Sequence, residues 1–213
     1  LDLWPETLNS VGFSKRNLIF IILEKFMNYS YSKCKFIFCQ SKSIQSLISK
    51  KIRNKKKAIY FPSWSENLPL HKNQKLNKLI NKRDFNIMFT GNIGQSQDFE
   101  SVVNAAKILE EYRNIKWIIV GEGRFLYKLK LLINKKNLEK KFIFLGSQKL
   151  KYIKYLSSLS SCLLICLKKN KIFSITVPGK LSNYMECKKP ILGMISGETK
   201  EIIEMSKSGY CCD

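Results

Sequence analysis

The feature that most constrains this chain is a repeated alternation between residues 86 and 205. Short, nearly all-apolar runs stand at 86–90, 117–120, 142–145, 162–167 and 191–195. Between them lie stretches with helical spacing at 99–112, 124–136, 150–159 and 179–187, and another follows at 198–205. Runs that are apolar throughout, without an in–out alternation, suit strands covered on both faces. Their exchange with helices predicts an α/β unit with a parallel sheet and right-handed crossovers. Ligands of such sheets sit beyond the carboxyl ends of the strands. The loops at 91–94, 121–123, 146–148 and 168–180 are therefore where chemistry is expected.

Upstream, 13–30 has helical spacing, with Leu18, Ile22 and Phe26 on one face and Ile21 and Lys25 opposite. Its run from Leu18 to Leu23 reads as a buried helix face or as a monotopic membrane contact. No run reaches transmembrane length. A strand is expected at 36–39, a helix at 43–51, and a second strand at 56–62, stopped by Pro62. Residues 66–82 are polar and broken by Pro69, as an interdomain linker ending in a short helix would be. The chain of 213 residues begins at Leu1 and stops at Asp213 inside an apolar pattern. A piece cut at both ends is expected: 1–65 the C-terminal part of one domain, 83–213 an incomplete second one.

The net charge is +22, from 38 Lys and Arg against 16 Asp and Glu. Two readings stand: an anionic partner, or a compositional bias in a chain also heavy in Asn and Ile. Nucleic acid is not expected, because there is no zinc-type spacing and the aromatics sit inside apolar runs. Phosphates or an anionic membrane fit better. Seven Cys without a CxxC pair argue against a disulfide framework and for a reduced, cytoplasmic compartment. Five of them lie in or beside apolar segments, where small buried residues go. The single His, His71, lies in the linker-like stretch, so neither a His-based triad nor a His-ligated metal site is expected.

Four stretches carry the candidate chemistry. Gly91-Asn92-Ile93-Gly94 ends a strand and precedes a helix that Ser96 or Asp98 can cap. Its glycines permit close approach of backbone to ligand, and amides at that helix start favour a phosphate. A plain tight turn is the alternative. Gly121-Glu122-Gly123 repeats the strand-then-glycine logic without the GxGxxG dinucleotide spacing. In 173–192, Pro178 suits a first helical turn, and Lys180 in that turn opposes the helix dipole, which a bound anion would explain. An ordinary solvated lysine is the alternative. Asp2-Leu3-Trp4-Pro5-Glu6 presents two acids around a rigid aromatic–proline turn, which suits a polar substrate or a capped helix start.

Taken in order, these stretches resemble bacterial glycosyltransferases of family four, in the branch that builds lipopolysaccharide, O-antigen and capsule sugars. The likeness runs through "DLWPET" at 2–7, "FPSW" at 61–64, "GNIG" at 91–94, "GEG" at 121–123, Leu145-Gly146, and "TVPGK" with "YM" and "KKPI" at 176–191. The resemblance implies a GT-B fold of two Rossmann-like domains with parallel sheets, acceptor-side first and donor-side second. It implies retaining transfer from a nucleotide sugar, with UDP as the expected carrier, to a lipid-linked or saccharide acceptor, without a metal. A cytoplasmic, peripheral place on the inner face of the plasma membrane is expected, and an anionic inner leaflet suits the charge.

Carried over residue by residue, Lys180 would be the cation on the diphosphate and Asp2 would face the acceptor. Gly91, Asn92, Ile93 and Gly94 would approach the diphosphate. Gly121, Glu122, Gly123, Leu145 and Gly146 would shape the nucleoside pocket. Ser174, Thr176, Val177, Pro178 and Asn183 complete the implied donor side, with Trp4 and Glu6 on the acceptor side. The chain departs from many relatives where they carry Arg and Lys (here Asn92 and Gln97), two Glu (here Ile175 and Asn183) and a His (here Leu1). At 186–188, Glu186-Cys187-Lys188 replaces a small-residue glycine turn, and strain is expected there. Two rival readings remain: a nucleotide-sugar epimerase of the same fold, and a nucleotide-binding fragment without catalysis.

Overall fold

The computed structural model describes residues 3–6, 17–65 and 69–212. They form two compact units. The first comprises the chain up to Ser63 together with 169–178 and 197–199, and the second comprises the remainder.

In the first unit, helix α1 (Leu18–Lys33) precedes strand β1 (Ile37–Cys39), helix α2 (Lys42–Lys51) and strand β2 (Ala58–Tyr60). β1 and β2 pair in parallel, Ile37 opposite Ala58. Side-chain caps start both helices: Asn17 accepts from the Ile19 amide and Ser41 from that of Ile44. Leu3, Tyr31, Ile37, Cys39, Ile44, Ile48 and Ala58 build the core, with Met27 and Ile175 packed against it.

The α1 face read as buried is the exposed one. Leu18, Ile22 and Phe26 are 69%, 57% and 62% exposed, whereas Phe20 and Tyr31 are buried. Both stripes have helical spacing, and β1 with α2 packs on the one carrying Met27 and Tyr31. Of the cysteines, only Cys39, Cys162 and Cys166 are buried, fewer than the apolar flanks suggested. Among the described residues no helix is long and apolar enough to cross a membrane.

The second unit opens with helix α3 (Gln74–Leu79), inside the stretch read as a linker, where Leu76 and Ile80 are buried. Strands β3 (Phe85–Thr90), β4 (Ile115–Val120), β5 (Phe142–Gly146), β6 (Cys162–Cys166), β7 (Ile191–Met194) and β8 (Gly209–Cys212) form one sheet in the order β5-β4-β3-β6-β7-β8, with every pair parallel. Between them run α4 (Phe99–Ile108), α5 (Leu126–Lys135), α6 (Leu150–Ser158), α8 (Lys180–Glu186) and α9 (Glu198–Met205), while α7 (Lys171–Ile175) belongs to the first unit. Two elements lie outside the expected set. α7 stands where a loop was expected, with Asn170 as its cap, and β8 carries too short an apolar run to stand out.

Phe89, Phe99, Trp117, Ile119, Leu129 and Leu164 are among the core residues that join the sheet to α4 and α5. The strand order reverses at β3, which has β4 on one side and β6 on the other. β3 pairs with β4 along its whole length but with β6 only at Ile87 and Met88. Its carboxyl end therefore parts from β6 and leaves a crevice, the place where sheets of this kind bind ligands.

Candidate functional site

A cavity of about 410 Å³ opens at this crevice. Thr90, Gly91 and Asn92 after β3, Gly121 and Glu122 after β4, Ser147 and Gln148 after β5, and Lys180, Asn183, Tyr184 and Cys187 from α8 and its end all line it. Leu150 and Ile153 of α6 add apolar wall.

The two glycine loops are laced together by their backbones. The Gly91 amide donates to Val120 O (2.9 Å), that of Ile93 to Glu122 O (2.8 Å), and that of Gly121 to Gly146 O (2.8 Å). Gly121 has φ +138°, and a Cβ on it would stand 1.9 Å from Gly91 O. A side chain there would push the loops apart, so the glycine is a requirement of this contact. With Gly91 and Ile93 occupied, the amides of Asn92 and Gly94 are the loop donors without a backbone acceptor among the described residues. The start of α4 offers less than expected: Asp98 caps it, accepting from the Ser101 amide and hydroxyl. A carboxylate at that position competes with an incoming phosphate.

Lys180 is the first residue of α8. Its ammonium lies 3.9 Å from the centre of the Phe89 ring and 3.3 Å from where a Gly91 Cβ would be. Among the described residues it has no acidic partner. Burial pushes its pKa down to about 8, partly opposed by the neighbouring Cys166 sulfur. The cation is thus held against a π face in a half-desolvated place. Burial in turn raises the Cys166 thiol to about 12, which makes it unreactive.

The other sequence-predicted residues divide. Gly91, Asn92, Gly121, Glu122, Lys180 and Asn183 line the cavity. Ile93 does not: its side chain is fully buried in the core, because its amide and carbonyl tie to Glu122 and Phe125. Gly94, Gly123, Leu145 and Gly146 are not among the lining residues. A Cβ on Gly123 would meet Ile93 O at 2.3 Å, so that glycine serves loop packing. Ser174, Thr176, Val177 and Pro178 group with the first unit, where the Thr199 hydroxyl donates to Thr176 O. Trp4 and Glu6 also belong to that unit, Trp4 partly exposed and Glu6 ion-paired with Lys51. Asp2 lies outside the described residues.

Thr90, Gln148, Tyr184 and Cys187 were not named as site residues from the sequence, although Gln148 lies in the 146–148 loop where chemistry was expected and Tyr184 in the "YM" of the family pattern. Tyr184, one turn beyond Lys180 on the same helix face, could have been found by that spacing. Among the described residues no group of three or more His, Cys, Asp or Glu is placed to hold a metal ion.

Three solved structures place this architecture. HepE from Anabaena, in complex with UDP and glucose, matches with a TM-score of 0.72 at 15% identity, over 95% of this chain and 54% of that one. WaaG, a glycosyltransferase involved in lipopolysaccharide biosynthesis, matches with a TM-score of 0.77 at 12% identity, over 99% of this chain and 59% of that one. The C-terminal domain of LpcC from Francisella tularensis, a glycosyl transferase group 1 family protein, matches with 0.52 at 21%, over 68% of this chain and 76% of that one. At such identities the likeness is one of fold, and the fold is of the GT-B type. The chain spans about half the length of the first of these structures. Comparison with curated protein sequences gave no match. The family model described as "Glycosyl transferases group 1" matches residues 71–213, well over half of the sequence, and the chain belongs to that family.

Proposed function

We propose that the protein to which this chain belongs is a retaining glycosyltransferase of family four, taking its sugar from a UDP-linked donor. The acceptor is a lipid-linked or saccharide chain of cell-envelope polysaccharide synthesis. The observation that carries this reading is the Lys180 ammonium, without an acidic partner among the described residues, held beside the Gly91 loop in the crevice. A desolvated cation next to closely approachable backbone suits a leaving diphosphate, whose developing charge it stabilises most where water is excluded. The reading gives that role to Lys180 and the Asn92 amide instead of a metal ion. The mixed wall of Ser147, Gln148, Leu150 and Ile153 suits a base and ribose. HepE, of similar fold, has been captured with UDP-glucose, which supports UDP as carrier. The net charge of +22 supports a peripheral place on an anionic inner membrane face.

Thermal-shift measurements on the complete protein test the donor. UDP should raise the melting temperature more than ADP or GDP does, and a protein that no nucleotide stabilises would sink the proposal. Lys180→Ala should abolish sugar transfer while the fold persists. Binding of UDP by a wild-type protein that transfers nothing would favour the non-catalytic reading.

A further inference from the structure

Backbone N–H groups along a strand point alternately to its two neighbours. The Gly91 amide reaches β4 at Val120 O, so the Thr90 amide faces β6. At the other end of β3, the Asn86 amide faces the same way and is met by the Ser161 hydroxyl (3.1 Å). β6 pairs with β3 only at Ile87 and Met88, so Thr90 has no strand to bond. The phenol of Tyr184 takes the missing place. Its oxygen accepts from the Thr90 amide at 2.8 Å and lies 3.0 Å from the Thr90 hydroxyl. Tyr184 is 2% exposed, so this hydrogen bond is largely shielded from water. Lys180 is one turn earlier on α8, with its ammonium beside Gly91, the next residue after Thr90.

We infer that Tyr184 is a positioning residue of the donor site: its hydroxyl fixes the distance between the Lys180 ammonium and the 91–94 loop. This rests on the cavity binding a nucleotide diphosphate. Tyr184 is itself a lining residue, but its hydroxyl is bonded to Thr90 and so acts on that ligand through Thr90 and α8. Its effect therefore falls on the diphosphate end of the cavity and spares the base end, which β4, β5 and α6 build.

The test is Tyr184→Phe in the complete protein, which keeps the buried ring and removes the hydroxyl. Affinities for UDP and for uridine are measured side by side by calorimetry. UDP binding should weaken about tenfold, the scale of one lost buried hydrogen bond, with uridine binding unchanged. Equal weakening of both ligands would mean general damage and overturn the proposal. No change in either would overturn it as well. A wild-type protein that binds uridine but gains nothing from the diphosphate would remove the underlying site reading instead. Should the variant fail to fold, hydrogen exchange in the wild type decides: the Thr90 amide should be protected like that of Phe89, and exchange as fast as that of Asn92 would refute the contact.

Discussion

Lys180 should destabilise the ligand-free protein, and replacing it with Met exposes this. The fall in its pKa from 10.5 to about 8 corresponds to about 3 kcal/mol favouring the neutral over the charged amine in the folded state. The ring contact with Phe89 returns about 1 kcal/mol, and Met retains most of the apolar packing. Lys180→Met should therefore stabilise the free protein by about 1–2 kcal/mol at neutral pH. The pH dependence has a definite sign. A lysine with a depressed folded pKa binds its proton more tightly when unfolded, so wild-type stability rises with pH between about 8 and 10.5. Below pH 8 the cost is fully present, and above 10.5 it is gone, so the gap between variant and wild type should close over that window. Urea denaturation at pH 7 and pH 10, with and without UDP, reads all of this. UDP should stabilise the wild type and add little to the variant. A Lys180→Met protein that is less stable than wild type at pH 7 without UDP would refute the argument, because the ammonium would then be a favourable structural contact.

Three other sites make independent predictions. Lys188, at the end of α8, has φ +52°, a left-handed turn that a non-glycine residue adopts at a cost, so Lys188→Gly should raise stability by about 0.5–1 kcal/mol in thermal melts. Lys141 is buried, and its ammonium donates to Leu109 O (3.0 Å) and Tyr112 O (2.6 Å) just beyond α4. Lys141→Met removes both charge-assisted hydrogen bonds and leaves each carbonyl only its backbone donor, the Tyr112 amide on Leu109 O and the Ile115 amide on Tyr112 O, and should cost about 1–3 kcal/mol in urea denaturation. Gly121→Ala combines a left-handed φ with a backbone clash, and should cost about 3 kcal/mol or more while removing the UDP-induced shift in melting temperature.

How far a sequence discloses such a site depends on whether each property is local. The inner strands could be read because β3, β4 and β6 are covered on both faces and so are apolar at nearly every position. The lining glycines could be read because Gly91 and Gly121 need conformations that other residues avoid. Lys180 could be read because a cation in a first helical turn runs against the dipole. Beyond that, the decisive facts are relations between distant segments. Helical spacing offered two stripes on α1, and only the position of β1 and α2 selects the one carrying Met27 and Tyr31, which leaves Ile22 and Phe26 outside. Ile93 sits between two loop glycines yet points into the core, because its backbone bonds to Glu122 and Phe125. Tyr184 entered the sequence reading only within the "YM" of the family pattern. Its role follows from β6 ending its pairing at Met88, which leaves the Thr90 amide to be met by a side chain from a helix more than ninety residues away. The same parting of β3 and β6 admits the Lys180 ammonium. Closing the crevice by extending the β3–β6 pairing would therefore remove the tyrosine contact and the cation site together.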